Sequence, residues 1–214
     1  MRRAPDGAGA MAVRGALAAG LATLAAAQIL LAVREGWFSL ELVVPLHLCD
    51  LSILLAIVCL LTSHHAASEV LYFWALSGTL LAMLSPDLPY GFPHPAFLLF
   101  FGLHGLVVVS AVTMTAGLGL SPRPGAPRRV FLLTLAYAAL VAGVNQAFGT
   151  NFLFLCAKPE NPTLLDYLGP WPLYLLACAC IGLTAFYLLD LPFRALRRRP
   201  TATPGPARSR RYCE

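Results

Sequence analysis

The sequence predicts an all-α, polytopic transmembrane bundle of six helices with both termini cytoplasmic. Three observations carry that prediction: the composition, six long uncharged stretches, and a lopsided distribution of arginine. Of 214 residues, 58% are apolar and only 12% charged, and the mean hydropathy is +0.73. A soluble domain carries about 25% charged residues, so this chain has half the usual means of facing water. A disordered chain would need the opposite composition.

A helix that crosses a bilayer needs about 20 largely apolar residues. The first candidate is Gly15–Val33, which holds no ionisable group, and the second is Leu42–Ser63, which contains His47 and Asp50. Val70–Ser85 is short and stopped by Pro86, while Ala96–Leu120 is long and holds His104. Val130–Gly149 and Trp171–Leu189 complete the set, the last closed by Asp190 and Pro192. Backbone polar groups in hydrocarbon must be satisfied within the segment, which makes these runs helices. They are too long for barrel strands and lack a period-two alternation.

Arginine sets the expected orientation. With the N-terminus inside, thirteen of the 15 Lys and Arg residues fall in inner segments, leaving only Arg34 and Lys158 outside. Positive residues favour the cytoplasmic side. The expected division is an N-terminal segment over 1–14, a membrane domain over 15–193, and a basic, disordered tail over 194–214. The first stretch also has the outline of a cleaved signal peptide, with Arg2, Arg3 and Ala25-Ala26-Ala27. Its uncharged core is longer than the ~7–15 residues typical of such a signal, so it is read as a retained helix. The tail is read as an anchor on anionic lipid. No motif supports nucleic-acid binding, and the expected partners are membrane lipids.

Ionisable residues inside a membrane cost free energy and mark function by default. On the six-helix plan they gather toward the outer side: His47, Cys49 and Asp50 in helix two, His104 in helix four, and Asn145 and Gln146 in helix five. His47 and Asp50 are three apart and can share a helical face. Asp50 is therefore expected to orient His47, leaving its other nitrogen to work. Cys49 points about 200° round the helix from His47, so any activating histidine would be His104. His47, Asp50 and His104 match no established metal-site spacing, and neither metal nor cofactor is expected. The same cluster also fits plain interhelical hydrogen bonding, at about 0.6 kcal/mol per bond.

Several motifs occur in order along the chain. Pro45-Leu46-His47-Leu48-Cys49-Asp50-Leu51 and Phe73-Trp74-Ala75-Leu76-Ser77-Gly78-Thr79 come first. Ser85-Pro86-Asp87, Phe92-Pro93-His94 and His104-Gly105 follow. Asn145, the run Gly149-Thr150-Asn151-Phe152-Leu153-Phe154-Leu155-Cys156, and the run from Leu165 to Pro172 close the pattern. With these, the chain resembles the YwaF-like bacterial integral membrane family, related to animal transmembrane protein 164, over about residues 37–193. The resemblance implies a multi-pass protein of the bacterial plasma membrane. The animal relative is described as a cysteine-centred acyltransferase moving fatty acyl chains between phospholipids, and its helix-two motif reads Pro-Cys-His. Here the stretch is Pro45-Leu46-His47: His47 and His104 match the pattern, and Leu46 stands at the nucleophile position.

The leading expectation is therefore a lipid acyltransferase or acyl hydrolase working from the outer side. His104 or His47 would be the general base, Asp50 the orienter and Cys49 a possible nucleophile. The alternative is a transporter or lipid-binding protein using the same polar cluster as a binding site or proton relay. The orientation is testable directly. A membrane-impermeant thiol reagent added to intact cells should label Cys156 and spare Cys213; labelling of Cys213 alone would reverse the topology.

Overall fold

Six helices long and apolar enough to cross a membrane make up the computed structural model, which describes residues 7–37 and 39–197. They are Ala8–Glu35, Leu40–Thr62, His65–Leu84, Pro95–Gly117, Ala126–Phe148 and Leu173–Arg197, here helices one to six. No strand occurs among the described residues. All six expected crossings are present, with shifted ends. Helix one starts seven residues before Gly15. Helix six does not stop at Pro192 but runs through it to Arg197. The rest of the basic tail lies outside the described residues.

Helix two is where the local sequence departs most from a regular crossing. It consists of a single turn, Leu40–Val43, and a longer helix, Leu48–Thr62, separated by four residues around Pro45. Proline has no N–H to give and pushes the residue before it out of the helical region; Val44 is accordingly extended, at φ −87° and ψ 111°. Non-helical backbone at membrane depth survives only where protein groups satisfy it. Tyr137 of helix five does so, its hydroxyl donating to the Leu46 carbonyl at 2.8 Å. Helices three and four each contain a five-residue π-helical turn, Ala75–Thr79 and Thr113–Gly117.

Helices one to four share one apolar core, built on Leu21, Ile53, Ala56, Leu60, Leu71, Leu103 and Val107. Helices one and four approach closely because glycine permits it. A Cβ on Gly102 would lie 3.1 Å from Leu24, and one on Gly20 would lie 3.3 Å from Leu106. Small residues at the crossing are the usual route to tight packing in lipid. Helices three, five and six form a second, aromatic core of Tyr72, Phe73, Trp74 and Phe186. Many large apolar side chains, Leu84, Leu140 and Leu176 among them, remain exposed on the outside of the bundle, as hydrocarbon-facing positions require.

Charge is confined to the two ends. At one end, Arg14 of helix one donates to Leu60 O at 2.6 Å, which brings the starts and stops of helices one and two together. At the same end Glu69 receives Arg123 and Arg129, both at 2.7 Å. Asp190 receives Arg194 at 2.6 Å and Arg197 at 2.8 Å. Arg197 also donates to Pro122 O at 2.8 Å, tying the end of helix six to the loop before helix five. The first and last helices therefore begin and finish at one arginine-rich end.

The Glu69 carboxylate is 3% exposed, whereas its arginines are 52% and 48% exposed. Removing one member of a fully buried ion pair costs about 3–5 kcal/mol because a charge is stranded. Here the stranded arginines would reach water, so the loss is smaller. Glu69→Gln is expected to destabilise by about 1–3 kcal/mol, read by thermal unfolding in detergent. An unchanged midpoint would mean that the ion triad does not anchor the loop between helices four and five.

Candidate functional site

The opposite end of the bundle carries His47, His94 and His104, and its architecture centres on the short turn Phe152–Phe154. That turn uses unfavourable backbone: Leu153 has φ 60° and Phe154 φ 53°. Left-handed residues other than glycine cost about 1–3 kcal/mol each and persist only when their surroundings hold them. Asn145 supplies most of the hold. Its amide nitrogen donates to Phe152 O at 2.9 Å, and its carbonyl oxygen accepts from Phe152 N, also at 2.9 Å. The same oxygen accepts from the Thr150 hydroxyl at 2.9 Å. Tyr174 of helix six donates to Phe154 O, and Glu41 accepts from Asn151 N at 2.6 Å.

His47 belongs to this assembly. It is the residue before the longer part of helix two, with φ −67° and ψ 146°, so it is not a helical neighbour of Asp50. Its Nδ1 accepts from Leu153 N at 3.3 Å. Its ring packs between Phe152 and Phe154, at 5.4 and 5.3 Å between centroids. A correction follows: the orienting partner of His47 is the Leu153 backbone N–H, where Asp50 was expected. Proline 45 explains it, because the shared-face argument requires a helix that has not yet begun at residue 47. A backbone donor on Nδ1 puts the imidazole proton on Nε2, so His47 presents an N–H.

His104 has the reverse arrangement. It is 7% exposed and stacks on Phe100 with centroids 3.9 Å apart. Its Nδ1 lies 2.8 Å from the Phe100 carbonyl one turn earlier. A carbonyl can only accept, so Nδ1 carries the proton and Nε2 keeps its lone pair. That Nε2 is buried and has no hydrogen-bond partner among the described residues. Thr79, in the π-helical turn of helix three, likewise has a buried hydroxyl without a partner among them, and this turn packs against helix four. Of the two glycines flanking His104, Gly102 faces Leu24, whereas Gly105 has open space beside it.

Asp50 and Cys49 sit in the first turn of the longer part of helix two. No hydrogen bond joins any two of His47, Cys49, Asp50 and His104 among the described residues; each histidine is engaged elsewhere. Nor do three His, Cys, Asp or Glu side chains come together as a metal site among the described residues. His64 and His94 serve as helix caps, their Nδ1 atoms accepting from Ala67 N and Ala96 N at 3.2 Å.

Sequence reasoning named Asn145 but not its task, and it missed Thr79, Tyr137 and Tyr174. An asparagine four residues before Gly149-Thr150-Asn151 is the available signal. The hydroxyl partners were hidden because each acts across helices far apart in sequence. Asn145→Ala would strand both polar groups of Phe152, at about 1–3 kcal/mol each. It should destabilise by about 2–4 kcal/mol and raise amide hydrogen exchange at Phe152. Unaltered exchange there would show that the clasp does not hold the turn.

The family model described as the TMEM164 family matches residues 4–190. No curated protein matches the chain, and no solved structure does.

Proposed function

The chain belongs to the TMEM164 family, and we propose that it cleaves or transfers acyl chains of membrane phospholipids, with His104 as general base. In this reading it resides in a bacterial plasma membrane, with the histidine end outward. The observation that carries the proposal is the unpartnered Nε2 of His104. A buried polar atom without a partner costs about 1–3 kcal/mol, and such an atom calls for a water, a ligand or a reacting group to complete it. An imidazole whose Nδ1–H is held by a carbonyl is in the correct tautomer to take a proton at Nε2.

The chemistry needs no cysteine. His104 Nε2 takes the proton of a water, or of a lysophospholipid hydroxyl, as its oxygen bonds to an acyl ester carbonyl. Collapse of the tetrahedral intermediate breaks the ester bond, and the proton passes to the departing glycerol oxygen. Water yields a free fatty acid and a lysophospholipid; a lysophospholipid yields a transferred chain. His47 acts as a positioning residue, holding the strained turn Phe152–Phe154. Cys49 is not a nucleophile in this scheme, because neither imidazole engages it, and Asp50 is not an orienter.

One observation favours a second reading. Leu46 occupies the position where the related animal protein, by resemblance, has its cysteine, which suits a lipid-binding or transport protein that has no covalent chemistry. The two readings separate in vesicles containing a phospholipid with an isotope-labelled acyl chain and an unlabelled lysophospholipid. Mass spectrometry should find labelled fatty acid or labelled transfer product with the wild type. His104→Ala should lower that rate by about 10²–10⁴-fold, while Cys49→Ser leaves it within a small factor. Loss on Cys49→Ser in a folded protein would make Cys49 the nucleophile. Lipid movement without any bond cleavage, abolished in Asp50→Asn, would establish the second reading.

A further inference from the structure

The arginine-rich end contains a crevice that the lipid-acyl reading does not use. It is open, about 360 Å³ in volume, and lined by Ser121, Pro122, Arg123, Pro124, Phe193, Leu196 and Arg197. Arg123 enters from the loop between helices four and five, and Arg197 from the last turn of helix six. Each guanidinium is fixed by a buried carboxylate: Arg123 by Glu69, 3% exposed, and Arg197 by Asp190, 1% exposed. Arg197 is fixed a second time through Pro122 O.

We propose that this crevice binds the headgroup of an anionic phospholipid from the surrounding leaflet, its phosphate lying between Arg123 and Arg197. Charge complementarity supports the occupant. Among the described residues this end carries Arg14, Arg123, Arg128, Arg129, Arg194 and Arg197 against only Glu69 and Asp190. An arginine has five N–H donors in a fixed fork. Arg123 spends one on Glu69, and Arg197 spends two on Asp190 and Pro122 O, so both keep donors for phosphate oxygens. Because the carboxylates already hold the guanidiniums, little side-chain entropy is lost on binding. A guanidinium stays charged at any physiological pH.

The apolar wall identifies a lipid rather than a soluble phosphate. Phe193 and Leu196 come from helix six, and Leu196 is 58% exposed. Basic pockets between membrane helices at the bilayer surface are suited to such headgroups.

The test uses full-length protein in nanodiscs of phosphatidylcholine containing a minor fraction of phosphatidylglycerol. After detergent extraction, native mass spectrometry counts the lipids retained. Two arginines near the surface predict a preference for phosphatidylglycerol on the order of tenfold or more. Leu196→Glu leaves every ion pair intact and places a negative charge at the lip of the crevice, so it should remove the preference. Arg128→Gln, which changes net charge outside the crevice, should retain it. An undiminished preference in Leu196→Glu would overturn the proposal, as would an equal loss in Arg128→Gln. Displacement of the retained lipid by millimolar inorganic phosphate would also overturn it, since the site would then be one for a free anion.

Discussion

Hydrocarbon offers no hydrogen bonds, so each polar group that enters it must already have a partner within the protein. That constraint shapes this molecule more than any single contact. It makes the six crossings helices, and it drives the charged residues to two ends. It also explains the care taken wherever the helix is interrupted. The break at Val44–His47 is tolerable because Tyr137 caps the Leu46 carbonyl. The turn at Phe152–Phe154 is tolerable because Asn145 takes both the N–H and the C=O of Phe152.

The two ends answer the constraint in different ways. At the arginine-rich end the partners are ionic, with two buried carboxylates each gripping two arginines. The arginines keep one side in water, so the carboxylates stay charged without stranding their counterions. At the histidine end amides, hydroxyls, backbone groups and two imidazoles serve as partners beside the Glu41 carboxylate. Neutral groups cost less to desolvate than ions, and they leave room for unpartnered atoms such as His104 Nε2 and the Thr79 hydroxyl. Ion pairs of this kind suit anchoring, and an unpartnered imidazole nitrogen suits a site.

The two histidines show how little separates a structural imidazole from a chemical one. Both lie toward the same end, and both have Nδ1 engaged by backbone. The difference is the identity of the backbone atom. An N–H from Leu153 consumes the lone pair of His47, whereas the C=O of Phe100 leaves that of His104 available. The donor to His47 exists only because the loop after helix five folds back over helix two in a strained turn.

Much of the architecture was legible in the sequence. Helix number, the sharing of one end by the first and last helices, and the gathering of uncharged polar residues at the other all follow from apolar length and arginine placement. Those are local or additive properties, and the lipid solvent enforces them residue by residue. Local sequence also contained the break at Pro45, though reading through it made His47 a helical neighbour of Asp50. Only tertiary structure decided which imidazole nitrogen is free, that Asn145 clasps Phe152, and that Arg123 and Arg197 line one crevice. Each depends on an atom contributed by a different helix or loop. In a bundle whose helices are all apolar along most of their length, the sequence pattern says little about which faces meet. The meeting is set instead by a few close approaches, such as Gly102 against Leu24, and by polar contacts that exist only once the helices have packed.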